Sequence, residues 1–191
     1  MPKRWPLWLG LAVGASALLA GLVSASSADE SWRLAARWTG RASFPLFIVT
    51  FVASSLARLY PRSWTRALLR DRRWWGLGFA ACFAIHLLAL SVYNWRIGDF
   101  PPVGLVDPGV FAYALLLAMV LTSNGAAQRR LGRGWKWLHT AGMWTFLLIF
   151  GRPGSDPVAM IYTATALLAV SLRIAAAWKS RSGSLRTATS E

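Results

Sequence analysis

Only two of the 191 residues are histidines, His86 and His139, and each lies in an apolar run headed by basic residues and tryptophans. His86 follows Asp71-Arg72-Arg73-Trp74-Trp75-Gly76 and sits deep in the stretch that continues to Tyr93, while His139 comes just after Trp135-Lys136-Trp137. A basic doublet and two indoles suit a helix leaving charged lipid headgroups, and the run beyond them is about the length that crosses a bilayer. An imidazole that far from water is costly to keep unless something binds or pairs with it. Two such histidines on two membrane helices suggest a heme protein. The plainer alternative for each is a buried residue hydrogen-bonded to a neighbouring helix.

Depth separates the two. At about 1.5 Å per residue, His86 lies roughly 18 Å from the basic start of its span and His139 about 6 Å from the start of its own. Axial ligands of one heme face each other across the iron, so a gap of about 12 Å along the membrane normal argues against a shared heme. If both bind, there are two stacked sites, which would conduct electrons across a membrane without any catalytic side chain.

The elements that must hold these histidines follow from composition. Hydrophobic residues make up 55% of the chain, mean hydropathy is +0.43 and there are 12 Trp, which implies an all-α polytopic membrane protein. The formal charge of +14 would invite nucleic acid, but the arginines stand at the ends of apolar runs, which favours membrane lipid instead. One cysteine, Cys82, excludes an internal disulfide, a Cys-rich metal site and an iron–sulfur cluster. Any redox chemistry therefore needs a bound cofactor.

Hydropathy predicts a six-helix bundle with spans at about 6–26, 44–59, 74–93, 109–122, 135–150 and 158–178. The first span, with Lys3 and Arg4 before it and Ser24-Ala25-Ser26 after it, also fits a cleavable signal peptide. A polar loop with Asp29, Glu30, Arg33 and Arg37 leads to span two, whose Pro45 a first helical turn tolerates. The basic segment up to Arg73 is a topology signal or a docking surface, its arginines spaced for one face of a short surface helix. Asn94 to Pro108, with Asp99 and Asp107, reads as a loop, and 179–191 as a disordered tail. With both termini cytoplasmic, every Lys and Arg except Arg33, Arg37, Arg41, Arg96 and Arg152 falls inside, and five of the seven acids fall outside. Trp74, Trp75, Trp135 and Trp137 then sit at the inner interface as anchors. Arg41, on the outer side against the bias, is a candidate partner for a heme propionate or a snorkelling residue.

Other classes fit less well. No acid lies within a span, as cation-coupled transport would want, and no nucleophile and base stand together for hydrolysis. A Gly-rich dinucleotide fingerprint after a strand is absent, so the chain is not a complete reductase by itself.

Several motifs in order carry a resemblance. Thr39-Gly40-Arg41 opens span two, Arg72-Arg73 with Gly76 and His86 mark span three, and Thr122-Ser123 closes span four. Gln128-Arg129-Arg130-Leu131-Gly132, Trp135, Leu138-His139, Ile161-Tyr162 and Leu172-Arg173 continue it. The pattern resembles the ferric reductase-like transmembrane domain family, and within it the heme-binding subunits of bacterial protein-methionine-sulfoxide reductases. The resemblance implies a b-type cytochrome of the inner membrane with one or two hemes. Electrons would come from a cytoplasmic flavin reductase or from quinol and leave to a periplasmic molybdenum enzyme. His86 matches the outer-heme ligand and His139 an inner histidine. Where the family carries a further histidine, this chain has Arg152, which has no lone pair for iron and suits a propionate instead. Arg72, one helical repeat before His86, is a similar propionate partner on the inner side. Met143 or Met160 is then a candidate sixth ligand. Heme held by one histidine, a single heme, and a heme-free membrane scaffold are the three outcomes these residues allow.

Overall fold

We describe residues 3–99 and 108–188 from a computed structural model of the chain. The described residues form seven helices and no strand: α1 (Trp5–Val23), α2 (Ala28–Leu59), α3 (Ser63–Ile97), α4 (Pro108–Leu121), α5 (Gly125–Leu131), α6 (Arg133–Phe150) and α7 (Pro157–Ala188). This is the all-α polytopic membrane fold that composition implies. The helices α1, α2, α3 and α7 are long and apolar enough to cross a membrane. α4 has 14 residues and turns through 104° into α5, and α6 has 18 with Arg133 and Lys136 in its first turn. At about 1.5 Å per residue these two reach roughly 21 and 27 Å, against a hydrocarbon core of about 30 Å.

Four segments differ from the sequence expectation. The polar stretch before span two is helical, because Ser27 Oγ accepts the Glu30 N–H at 3.3 Å and Asp29 and Glu30 complement the positive end of the helix dipole. The basic segment before span three is the start of α3 rather than a separate surface helix, its first turn tied by Thr65 Oγ1 to the Tyr60 and Arg62 carbonyls at 2.6 and 2.9 Å. α7 remains helical past Lys179, where a disordered tail is expected. Extending a formed helix fixes one residue per new bond, and Lys179 Nζ reaches the Leu59 carbonyl at 3.1 Å. Positions 189–191 of that tail, and the expected loop from 100 to 107 with Asp107, lie outside the described residues.

Pro45 is the fourth difference. It falls within α2, where its missing N–H leaves the Arg41 carbonyl without its helical partner. The Tyr162 hydroxyl, from α7, donates to that carbonyl at 2.8 Å. The neighbouring Phe44 ring stacks on Tyr162 with centroids 4.0 Å apart.

The frame of the molecule is α1, α2 and α3. Gly10 of α1 meets Gly78 of α3 so closely that a Cβ at Gly10 would fall on the Gly78 carbonyl, and a Cβ at Gly21 would fall on the Ala35 backbone of α2. α1 is thus a packed member of the bundle. Its N-terminal end is tied by the Lys3 N–H to Asp71 Oδ1 at 3.0 Å, and Asp71 also receives two bonds from Arg70, at 2.9 and 2.8 Å. Beyond this frame, Phe47, Phe51, Phe79, Phe83 and Phe146 form a buried aromatic core where α2 and α3 meet α6.

Two expectations follow. Gly10→Leu must push α1 off α3 and should destabilise the protein by about 1–3 kcal/mol, the usual cost of overpacking, as a lower unfolding temperature in detergent. The Arg70 guanidinium holds the Asp71 carboxyl below its ordinary range. The stability this contributes is complete above the unfolded carboxylate value and is lost as pH falls through the lowered one. The stability gap between wild type and Asp71→Asn should therefore be flat from about pH 8 to about pH 5 and close in stronger acid.

Candidate functional site

His86 projects from α3 toward α2. Its Nδ1 lies 2.8 Å from the Ala36 carbonyl oxygen. A carbonyl only accepts, so Nδ1 carries the proton and Nε2 keeps its lone pair. Thr39 Oγ1 stands 3.4 Å from the same nitrogen while donating to the backbone of its own helix. Gly40 provides room for the ring, since a Cβ there would be 3.1 Å from His86 Cε1 and 3.2 Å from Nδ1. The Thr39-Gly40 pair is therefore a cradle for His86, and a carbonyl on the far nitrogen is the usual way a ligating imidazole is oriented.

His86 lines a cavity of about 470 Å³ together with Arg33, Arg37, Arg41, Tyr93 and Arg152. Two of its arginines are engaged: Arg33 pairs with Glu30, and Arg41 Nη2 donates to Asp156 at 2.9 Å. Arg37 and Arg152 have no ion pair among the described residues. No second histidine, methionine or cysteine lines this cavity.

His139 lines a different cavity, of about 740 Å³, at the other end of the bundle. Its Nε2 is 3.1 Å from Thr122 Oγ1, whose own proton goes to the Ala118 carbonyl at 2.7 Å, so Nε2 donates and Nδ1 keeps the lone pair. The ring lies flat on Trp135, centroids 4.2 Å apart and planes 25° from parallel, and Trp135 Nε1 donates to the Thr122 carbonyl at 2.9 Å. Trp135 is thus turned inward onto the histidine, unlike Trp137, which is 74% exposed as an interface anchor would be. Gly132 joins α5 to α6 at φ +50°, a conformation side chains rarely adopt, which accounts for the glycine ending the Gln128 motif.

This second cavity is strongly cationic. Arg72, Arg73, Lys136 and Arg173 line it, and no carboxylate does. Arg72 Nε is held by the Thr50 carbonyl at 3.0 Å. Arg173 Nη1 is buried with no hydrogen-bond partner. In the sequence Arg173 counts as an inner-side charge and as part of the Leu172-Arg173 pair of the family-like pattern, with no role at a site, although an arginine short of the end of an apolar stretch is a visible signal. Met143 and Met119 also line the cavity, but Met143 is on the same helix as His139 and shares its wall. Met160 is 61% exposed and lines neither cavity.

Phenylalanine rings connect the walls of the two cavities. Phe79 on the wall of one and Phe150 on the wall of the other have centroids 6.2 Å apart, and Phe83 lies 5.1 Å from the His86 ring. No group of three or more His, Cys, Asp or Glu able to hold a metal ion exists among the described residues. Each histidine can therefore ligate only a metal that brings most of its own ligands. Both volumes fall within the range of about 300–1,000 Å³ typical of cofactor clefts. The free Nε2, the Gly40 cradle and the orphaned guanidinium all suit a flat metal complex with acidic edges.

Comparison with known proteins agrees with this geometry. Residues 39–150 match the family model described as ferric reductase like transmembrane component. The protein-methionine-sulfoxide reductase heme-binding subunit MsrQ of Yersinia enterocolitica is 28% identical, over 87% of this chain and 91% of that protein. The MsrQ of Yersinia pseudotuberculosis serotype O:1b is 30% identical over 87% and 82%, and that of Cronobacter sakazakii 33% identical over 53% of each. No solved structure matches.

The Arg41–Asp156 pair is half exposed, at 38% and 54%. Exposed pairs couple weakly, so a double-mutant cycle with Arg41→Gln and Asp156→Asn should give less than about 1 kcal/mol of interaction in unfolding titrations.

Proposed function

The chain belongs to the ferric reductase like transmembrane component family, and from that premise we propose that it is a b-type heme electron-transfer subunit. It carries electrons across the bacterial inner membrane to a periplasmic oxidoreductase of the methionine-sulfoxide reductase kind. The observation that supports this best is one histidine per cavity, twice, at opposite ends of one bundle with an aromatic layer between. Heme in such a site supplies a one-electron iron couple.

The chain's own residues then have distinct tasks. His86, protonated on Nδ1, presents Nε2 to iron, and His139 is the imidazole of the second cavity. Because the chain has two histidines, each cavity contributes a single one. Arg152 stands beside His86 as a fixed cation and not as a ligand, matched to a carboxylate edge. Arg37 is free to do the same, whereas Arg41 is committed to Asp156. On the other side Arg72, positioned by Thr50, is the corresponding cation.

The concentration of Arg and Lys at the His139 end supports a cytoplasmic location for that cavity and for both termini. α4 and α6, short but adjoining the long helices, serve as the fourth and fifth crossings of a six-span domain over residues 1–178. A cytoplasmic flavin reductase or membrane quinol is the donor by likeness to the family, and a periplasmic molybdenum enzyme the acceptor.

The test is a reduced-minus-oxidised visible spectrum of the purified protein with a pyridine-hemochrome count. Wild type should show b-type bands, and His86→Ala and His139→Ala should each remove about half of the heme. A folded, colourless protein from heme-replete cells would instead leave a heme-free membrane scaffold.

A further inference from the structure

Among the described residues, Arg173 carries the one buried side-chain polar atom that the protein leaves without a hydrogen-bond partner. It lies on α7 beyond residue 150, where the family match ends. Near the end of an apolar helix an arginine ordinarily extends its head toward water. Here the guanidinium is folded inward instead, its carbon 4.5 Å from the Phe51 ring centroid and 5.3 Å from that of Trp144. The two rings support it without satisfying its N–H groups, and Nη1 remains buried and unbonded at the wall of the His139 cavity. Arginine does not deprotonate in proteins, so the charge stays and its desolvation must be offset. The cavity lining offers four cations and no anion. The missing negative charge has to arrive with the ligand.

We propose that Arg173 binds a carboxylate of the tetrapyrrole held in the His139 cavity and thereby sets which edge of that ligand faces α7. The inference rests on the heme reading above and refines it. Arg72 on α3 and Arg173 on α7 reach the cavity from different walls, Arg72 fixed by the Thr50 carbonyl and Arg173 by two aromatic faces. Two guanidinium groups so placed match the two acidic side chains on one edge of a protoporphyrin, each able to form a charge-assisted pair away from water. A lipid phosphate could supply the same negative charge, and the two sources are separable.

The experiment titrates the apoprotein in nanodiscs, in a His86→Ala background that leaves only the His139 cavity, with iron protoporphyrin IX and with its dimethyl ester, which has the ring and the iron but no carboxylates. Binding is read from the Soret band. The parent should prefer the free acid by at least tenfold. Arg173→Gln should abolish most of that preference, and Arg173→Lys should retain part of it. The heme midpoint potential should fall in Arg173→Gln, since a cation near iron favours the reduced state; a tenfold change corresponds to 59 mV for one electron. Arg130→Gln, a change at an arginine that does not line the cavity, should alter neither quantity. Equal preference in the parent and Arg173→Gln overturns the proposal, as does an affinity that follows phosphatidylglycerol content and ignores the ester. If Arg173→Gln does not fold, a partial loss of the preference in Arg173→Lys supports the proposal, and an undiminished preference with an unchanged potential overturns it. A parent that takes up neither porphyrin sinks the heme reading itself, a result distinct from uptake without discrimination.

Discussion

A bundle that keeps two cavities open inside a membrane has to be held together by something other than the walls of those cavities. Here that is the approach of α1, α2 and α3 at backbone distance, made possible by Gly10, Gly78 and Gly21. In lipid, apolar side chains gain little by leaving one apolar surroundings for another, so helices associate through close van der Waals contact, and small residues permit it. The three-helix frame carries His86, Arg72 and the Thr39-Gly40 cradle as fixed points. The other half, with α4, α6 and α7, is more open, and the larger cavity lies on that side. The contacts that orient His86 and Arg72 thus lie in the closely packed frame.

Much of this was legible in the chain itself. The depth argument that kept His86 and His139 apart corresponds to two cavities, and the apolar runs correspond to helices. Arg152, singled out as a cation where the family has a histidine, does line the His86 cavity. The helix boundaries were less legible. Hydropathy measures what lipid will accept, not where a backbone stops being helical, so α2 and α3 extend well beyond the apolar windows. A signal for the early start of α2 is nevertheless present as Ser27 followed three residues later by Glu30, a helix-start signature.

What could not be read from one dimension was the direction of side chains. Trp135 has the sequence context of an interface anchor, yet it stacks on His139, because the α4 end brings the Thr122 carbonyl within reach of its indole N–H. Arg173 looked like one more inward charge and proved to be tucked beneath two aromatic rings. Met143 and Met160 were equivalent as sulfur donors on paper, and burial separates them: 7% exposed against 61%. Each of these outcomes depends on a partner from another helix that no local window contains.

The bond from Tyr162 to the Arg41 carbonyl has a consequence for how the molecule is made. Pro45 leaves a backbone acceptor in α2 that its own helix cannot satisfy, and a group of this kind left without a partner away from water costs about 1–3 kcal/mol. The hydroxyl that meets it belongs to α7, which is synthesised after α2 and the four helices between them. Until α7 arrives, the second helix waits in the bilayer with an open valence, and the docking of one recovers the integrity of the other. The docking of α7 thus completes the backbone of α2: a chain that stops short of Tyr162 lacks the hydroxyl that meets the Arg41 carbonyl.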